Sequence, residues 1–381
     1  MITNGYDNAA RIFLSFQKRI TWIKQISVFP SSEKEMKQFI DFKHLCKYPI
    51  INYYDFPRTI HNIEVRKHDL SLNNNVSEND YDTLVLGYFY DNMWEGNVNF
   101  GYNLVNKALE HNKNFFVFDI RIYNYLTNII SNSKYKSKVY LPRVTSRDYE
   151  FLLNYKHLPV AKCPILMTIG TSNKQGKFTT QLKIKEILEE EGYVVSHIST
   201  EPQGELFGAD HCFPYGHMST VEISPRQFLQ FLRTLCNAIS YFNKPDIIIT
   251  GHQGGLIPRL ALNAMPYFPS VDNLGFLHGI LPDIIICTIN PEDSIEMINN
   301  TINVAYAYTK CKVLFYVLSP IMRTQEEMYD EIYLNSSKML NEIDYQKRLS
   351  YFQEKLNKPV YNILNNDKKL LIKAIEDACS R

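Results

Sequence analysis

Across 381 residues the chain has no apolar run approaching the roughly 18 residues that would span a bilayer, so no transmembrane helix is expected. It also lacks a charge excess. Lysine plus arginine number 41 against 40 for aspartate plus glutamate, and the net charge of +1 gives no electrostatic case for nucleic acid or a membrane surface. Paired cysteines are missing too: Cys46, Cys163, Cys212, Cys236, Cys287, Cys311 and Cys379 stand singly, which argues against a disulfide framework and for thiols in a reducing cytoplasm. The N-terminal Met-Ile-Thr-Asn-Gly-Tyr-Asp shows no basic-then-apolar layout of a signal peptide, and no glycine-rich dinucleotide fingerprint or internal repeat is found. What is present is ordinary for a globular protein, with 45% hydrophobic and 21% charged residues, and the length suffices for two domains.

One segment stands out. The apolar run from Ile165 stops at Gly170, a polar loop Thr171-Ser172-Asn173-Lys174-Gln175 follows, and Gly176-Lys177 opens a stretch of helical spacing. This is the layout of a phosphate-binding loop: glycines admit an anion to the backbone, the helix N-terminus adds a positive dipole, and lysine adds a full charge. Gly170, Thr171, Ser172, Gly176, Lys177, Thr179 and Thr180 are the candidate cofactor-binding residues. Five residues separate the glycines instead of the usual four, and Phe178 stands where a hydroxyl residue normally follows the lysine.

After this loop, apolar runs at Tyr193–Ile198, Asp246–Thr250, Asp283–Thr288 and Lys312–Leu318 alternate with helical patterns at 181–191, 224–241, 292–309 and 324–342. Continuous apolar runs suit parallel strands buried on both faces. A doubly wound α/β domain over 161–381 is therefore expected, with ligands beyond the carboxyl ends of its strands. Before it, residues 1–160 show a helix from Ser32, strands at Thr83–Tyr90 and Asn114–Asp119, and a helix between them at Tyr102–His111. A smaller Rossmann-like domain without its cofactor site is the reading, and Leu158–Pro164, with two prolines, is the expected boundary.

Three further segments are expected near the loop. Ser199–His217 is dense in glycine and acid–base groups; Glu201, Gln203 and Gly204 are candidate substrate contacts, and the alternative is a solvated loop. Its His211, Cys212 and His217 match no zinc spacing, and no metal ligand is assigned. Thr250-Gly251-His252-Gln253-Gly254-Gly255 follows a strand whose counterpart in many phosphate-loop enzymes ends in a Mg²⁺-holding acid, absent here. Gln253 and Gly254 are further substrate candidates, backbone N–H groups near Gly254-Gly255 could stabilise an oxyanion, and His252 could act as general base or simply be structural. His278, before Gly279, could approach the ligand or cap a helix end, and Asp283 reads as a strand-start residue.

Taken in order, Gly170–Thr180, Gln253-Gly254-Gly255-Leu256, Leu277-His278-Gly279-Ile280-Leu281-Pro282-Asp283 and Lys358-Pro359-Val360-Tyr361-Asn362 resemble four motifs of the D-glutamate N-acetyltransferase-like proteins, a family long of unknown function. The spacing and the apolar residue after lysine, unusual elsewhere, are normal there. The likeness covers about 163–378 and suggests a branch associated with peptide natural-product maturation. It implies a phosphate-loop fold related to dethiobiotin synthetase and N-acyl transfer from acetyl-CoA to an amino acid. The first reading is accordingly an acyl-CoA-dependent transferase acting on the amine of an amino acid or peptide, with His252 or His278 as base. The family's glutamate before Gly-Gln-Gly is replaced here by Gly251-His252. An ATP-dependent ligase-like enzyme is the alternative. It would use Mg²⁺ at Thr179 or Thr180 with Glu201, Glu205 or Asp210 supplying the acid. A third reading is a non-catalytic nucleotide- or peptide-binding maturation factor. The expected partners are an amino-acid or peptide substrate and other maturation proteins, with a homo-oligomer compatible and neither nucleic acid nor membrane involved.

Overall fold

Two parallel sheets, each built from short strands of apolar and β-branched residues, carry the architecture. The computed structural model describes residues 20–29, 33–53, 80–88, 99–173, 175–216, 218–257, 270–322, 338–365 and 368–379. The chain divides into two compact units, one formed by Ser15–Arg143 with Pro202–Phe213, the other containing Val144–Glu201 and Pro214–Arg381. This differs from a single cut at residue 160. Residues Val144–Lys162 go with the second unit, where Ala161 N–H donates to Asn237 (2.9 Å) and Lys162 N–H to Ser240 (3.1 Å).

In the first unit, β1 (Ile26–Phe29), α1 (Glu33–Asp41), β2 (Ile50–Tyr53), β3 (Thr83–Leu86), α2 (Asn99–Glu110), β4 (Asn114–Val117), α3 (Ile120–Ser131) and β5 (Val139–Tyr140) follow one another. The strand order is β2-β1-β3-β4-β5, all parallel. Phe29, Leu84, Leu86, Phe115 and Val117 are fully buried and pack with Leu104, Val105, Leu109 and Leu126 from the helices. The expected βαβ unit is present with shorter strands. The expected cap Ser32 lies outside the described residues.

The second unit opens with α4 (Ser146–Leu153), started by a capping box between Thr145 and Asp148. Then come β6 (Ile165–Gly170), α5 (Lys177–Glu190) and β7 (Val195–Ser199). The segment carrying β8 (His211–Cys212) is counted with the first unit. The chain continues through α6 (Pro225–Asn243), β9 (Ile247–Gly251), α7 (Ser270–Ile280), β10 (Ile284–Ile289), α8 (Ile295–Thr309) and β11 (Val313–Leu318). A short antiparallel pair, β12 (Ile321–Met322) with β13 (Lys338–Met339), precedes α9 (Glu342–Lys355), β14 (Val360–Tyr361) and α10 (Lys368–Cys379).

Within this unit the sheet runs β14-β11-β10-β6-β9-β7, every neighbour parallel. β6, β9 and β10 are buried along their whole lengths, as their unbroken apolar runs predict. β6 lies between β9 and β10, so the loops after all three open at one edge. Ser224 and Gln227 form the capping box that starts α6, with Pro225 in the first turn. Phe276–Ile280 forms the end of helix α7, the second of the two places open to His278 from sequence. One expectation fails: the helical pattern expected to run to Glu342 gives way to β13 and a fresh helix start at Asn341. The part of that pattern between 324 and 337 lies outside the described residues.

Candidate functional site

The polar loop connects the centre of the sheet directly to a helix. Gly176 adopts φ 83°, a left-handed conformation that favours glycine, and from it α5 begins at Lys177. Lys177 is only 7% exposed, and its ammonium donates to the carbonyls of Ser172 (2.6 Å) and Gly254 (2.8 Å). It therefore bridges the loop to the turn after β9. Thr180 is buried in the first turn, its N–H donating to Gly176 O (2.8 Å), and its hydroxyl has no hydrogen-bond partner among the described residues.

The β9 turn presses on this loop from one side. A Cβ on Gly255 would stand 2.4 Å from the Thr171 carbonyl oxygen, so the approach requires glycine. Asn273 on α7 donates to Gly255 O (2.9 Å), Tyr215 donates to Asn273 (2.7 Å), and Gln253 N–H donates to Tyr215 (3.1 Å). Gln253 also donates to Thr200 O (2.9 Å), which ties the turn to the end of β7. Gly254 meets the loop through Lys177, and Gln253 holds the turn behind it. Their visible partners are protein groups that hold the turn.

By sequence His252 could be a general base or a structural residue, and both of its ring nitrogens are engaged by the backbone. Its Nε2 accepts the N–H of Gly170 (3.2 Å), and its Nδ1 pairs with Gln253 O (2.9 Å), which fixes the neutral tautomer carrying hydrogen on Nδ1. Burial, helped by the nearby charge of Lys177, pushes its pKa down from 6.5 to about 3. A base needs a free lone pair, and this one is engaged. In this geometry His252 is a strut for the loop. His278 is exposed near the C-terminal end of α7, edge-on to Tyr308. A helix running from β9 to β10 ends at the sheet edge opposite the loop, so His278 is not brought to it. Asp283 sits at that edge and accepts Ile165 N–H (2.9 Å), the strand-start role expected of it.

On the other side, the turn after β10 supplies residues that pattern reading missed. Asp293 accepts hydrogen bonds from Thr171 Oγ1, from Gln175 Nε2 (3.3 Å) and from Asn290 N–H (2.7 Å). Gln175 completes the clasp, its Oε1 accepting Ser172 N–H (3.0 Å) and its Nε2 donating to Thr171 (2.5 Å). Asn290 is fully buried, and its side-chain Nδ2 has no hydrogen-bond partner among the described residues. The only sequence signal for this group was an acid in the turn after a buried strand, three residues past Asn290.

The remaining candidates scatter. Glu201 closes a small turn in which Ser199 Oγ donates to its carbonyl (2.9 Å) and accepts its N–H (3.1 Å). Gln203 and Gly204 belong to the segment counted with the first unit; Gln203 donates to Gln38 (3.3 Å) there. In the same segment Glu205 is buried and accepts the Tyr140 hydroxyl (2.7 Å). Burial raises its pKa from 4.5 to about 8, against the lowering effects of that bond and of Lys47. His211, Cys212 and Asp210 are buried, and His217 lies outside the described residues.

Phosphate-loop NTPases commonly hold Mg²⁺ through a hydroxyl following the lysine and an acid at the end of the adjacent strand. Neither of those two positions is available to the ion here. Phe178 is 2% exposed and stacks on His197 (centroids 6.1 Å apart). At the strand end, a Cβ on Gly251 would meet Gln181 Nε2 at 2.2 Å and Thr168 Oγ1 at 2.3 Å, which leaves no room for a carboxylate. Among the described residues no group of three or more His, Cys, Asp or Glu side chains is placed to hold a metal ion.

A parallel α/β sheet with a glycine-lysine loop between its central strand and a helix defines a phosphate-loop protein. Residues 156–372 match the P-loop domain of DUF1611, a domain of unknown function, and the chain belongs to that family. A crystal structure of a DUF1611 family protein from Anabaena variabilis is similar over 93% of this chain and 99% of its own, with TM-score 0.57 at 15% identity. Cobyrinic acid a,c-diamide synthase from Mycobacterium smegmatis, with bound ATP analogue and magnesium, covers 57% of this chain and 93% of its own at 15% identity and TM-score 0.33. A nucleotide-binding protein from Archaeoglobus fulgidus in complex with ADP covers 62% and 93%, at 13% identity and TM-score 0.32. No curated protein matches the chain. Among the described residues no helix is long and apolar enough to cross a membrane.

Proposed function

We propose that this protein holds the phosphates of a nucleotide-type cofactor at Gly170–Thr180 and uses that cofactor in modifying the amine of an amino acid or peptide. The observation that carries the first half is the buried Lys177 ammonium, set at the first turn of α5 between the Ser172 and Gly254 carbonyls. A lysine at that place gives up carbonyl partners for phosphate oxygens, with the helix dipole and loop N–H groups adding to the attraction. The second half rests on the four-motif resemblance to the D-glutamate N-acetyltransferase-like proteins, and the acceptor and maturation partners follow from it. The cytoplasm is the proposed location.

Two chemistries put such a cofactor to work on an amine. N-acyl transfer from acyl-CoA needs its phosphates anchored and a base near the acceptor, and with His252 engaged the base comes from elsewhere. An ATP-dependent, ligase-like activation is the second reading, and the P-loop domain shared with the family supports it.

The test is a thermal-shift panel on the full chain with ADP, ATP, CoA and acetyl-CoA, repeated on Lys177→Ala. At least one of these ligands should raise the melting temperature of the wild type, and Lys177→Ala should weaken that ligand about tenfold or more, about 1.4 kcal/mol. Release of ADP with an amine acceptor marks the ligase-like reading and release of free CoA the acyl-transfer reading. If Lys177→Ala leaves every affinity unchanged, the phosphate site is wrong.

A further inference from the structure

The two positions that hold Mg²⁺ in related loops are closed in this chain, each by its own packing. Phe178 takes the place of the hydroxyl after the lysine, and its ring is turned into the core against His197. Gly251 takes the place of the strand-end acid, and the space a side chain would need is filled by a buried polar chain. There Gln181 donates to Thr168 Oγ1 (3.0 Å), and its carbonyl oxygen pairs with His197 Nε2 (3.0 Å). The same histidine thus backs both replacements, stacked on Phe178 and bonded to Gln181. These are coupled changes: a residue with a side chain at 251 would evict Gln181, which would unseat His197 and with it the wall behind Phe178.

The carboxylate that does reach the loop, Asp293, has one oxygen already shared among Thr171, Gln175 and the Asn290 N–H. Three donors on that oxygen make it an internal anchor. Mg²⁺ takes near-octahedral oxygen ligands and parts reluctantly with its water, so it would have to break this clasp to be held. From these observations, resting on the phosphate-site reading above, we propose that the loop binds its phosphate ligand as the free anion, without a divalent cation. Lys177 and the α5 N-terminus then supply the positive charge that Mg²⁺ supplies elsewhere. A ligand of the nucleoside diphosphate class suits that charge better than a triphosphate delivered as its metal chelate.

Calorimetric titration of ADP into the full chain, once with EDTA and once with excess MgCl₂, tests this. The expected result is an affinity that Mg²⁺ leaves unchanged or lowers a few-fold through chelation of free ADP. Tightening by Mg²⁺ of tenfold or more would overturn the proposal. A second arm uses Mn²⁺ as probe, with water-proton relaxation as readout. No enhancement beyond that of Mn²⁺ with ADP alone is expected on adding the protein. An enhancement that Asp293→Asn removes would identify Asp293 as a metal ligand and sink the idea. Failure of the phosphate site looks different. In that case Lys177→Ala matches the wild type in both buffers and both proposals fall, whereas absence of ADP binding in both buffers overturns the metal-free diphosphate proposal alone.

Discussion

His252 shows how little a residue's type says about its work. A histidine in a loop after a buried strand has the chemistry of a base, yet here burial keeps it neutral and its lone pair supports the Gly170 N–H. Replacing it with alanine strands a buried donor, and the expected cost is about 1–3 kcal/mol of stability, read from urea denaturation at pH 7.5. The pH dependence follows from the sign of the shift. His252 and His197 both titrate near 3 when folded and near 6.5 when unfolded, so their contribution is complete above 6.5 and is lost as pH falls toward 3. Glu205 works in the opposite direction. Its folded pKa of about 8 against 4.5 unfolded means that its contribution is complete below 4.5 and is lost as pH rises toward 8. The limiting slope is about 1.4 kcal/mol per pH unit. Glu205→Gln should therefore gain stability relative to wild type between pH 5 and 8, and denaturation midpoints at those two pH values would show it. A constant difference would mean that Glu205 is ionised in the fold.

At the scale of elements, the strands and the loop were legible because burial on both faces leaves unbroken apolar runs and because glycine-lysine before a helix is a rare conjunction. Helix α7 was not. Its Gly275 and Gly279 serve close packing: a Cβ on Gly275 would meet Pro225 O at 3.0 Å, and one on Gly279 would meet Phe228 O at 2.9 Å. The glycines let α7 lie against α6. Gly279→Ala should push these helices apart and cost about 1–3 kcal/mol, measurable as a lowered melting temperature with ligand affinity largely kept, since the contact is remote from the loop. Gly251→Glu, which returns the acid found in the resembling family, should be worse. It forces a charge into space held by Gln181 and Thr168, and a loss of soluble folded protein is the expected outcome. A well-folded Gly251→Glu variant would contradict the packing argument for β9.

For the molecule as a whole, the second unit could be read from sequence far better than the first. Its strands are long apolar runs, whereas β1 to β5 are two to four residues each. The segment 202–213 was misleading for a physical reason. Its acids, histidine and glycines suggested a substrate loop, but Leu206, Phe207 and Phe213 are fully buried, and Phe207 packs on Phe39 at 5.0 Å. Lys47 N–H bonds to Leu206 O at 2.7 Å, so the segment is built into the core of the first unit. The clasp of Asp293 on Gln175 and Thr171 was invisible because Asp293 lies 118 and 122 residues away from them in sequence. All of this leaves one claim at the centre, that Lys177 and the first turn of α5 receive phosphate. Isothermal calorimetry of ADP with wild type and with Lys177→Ala, the latter first shown to be folded by its melting transition, addresses it most directly. Saturable binding to the wild type that falls at least about tenfold in the variant is predicted, and equal heats from both proteins would contradict it.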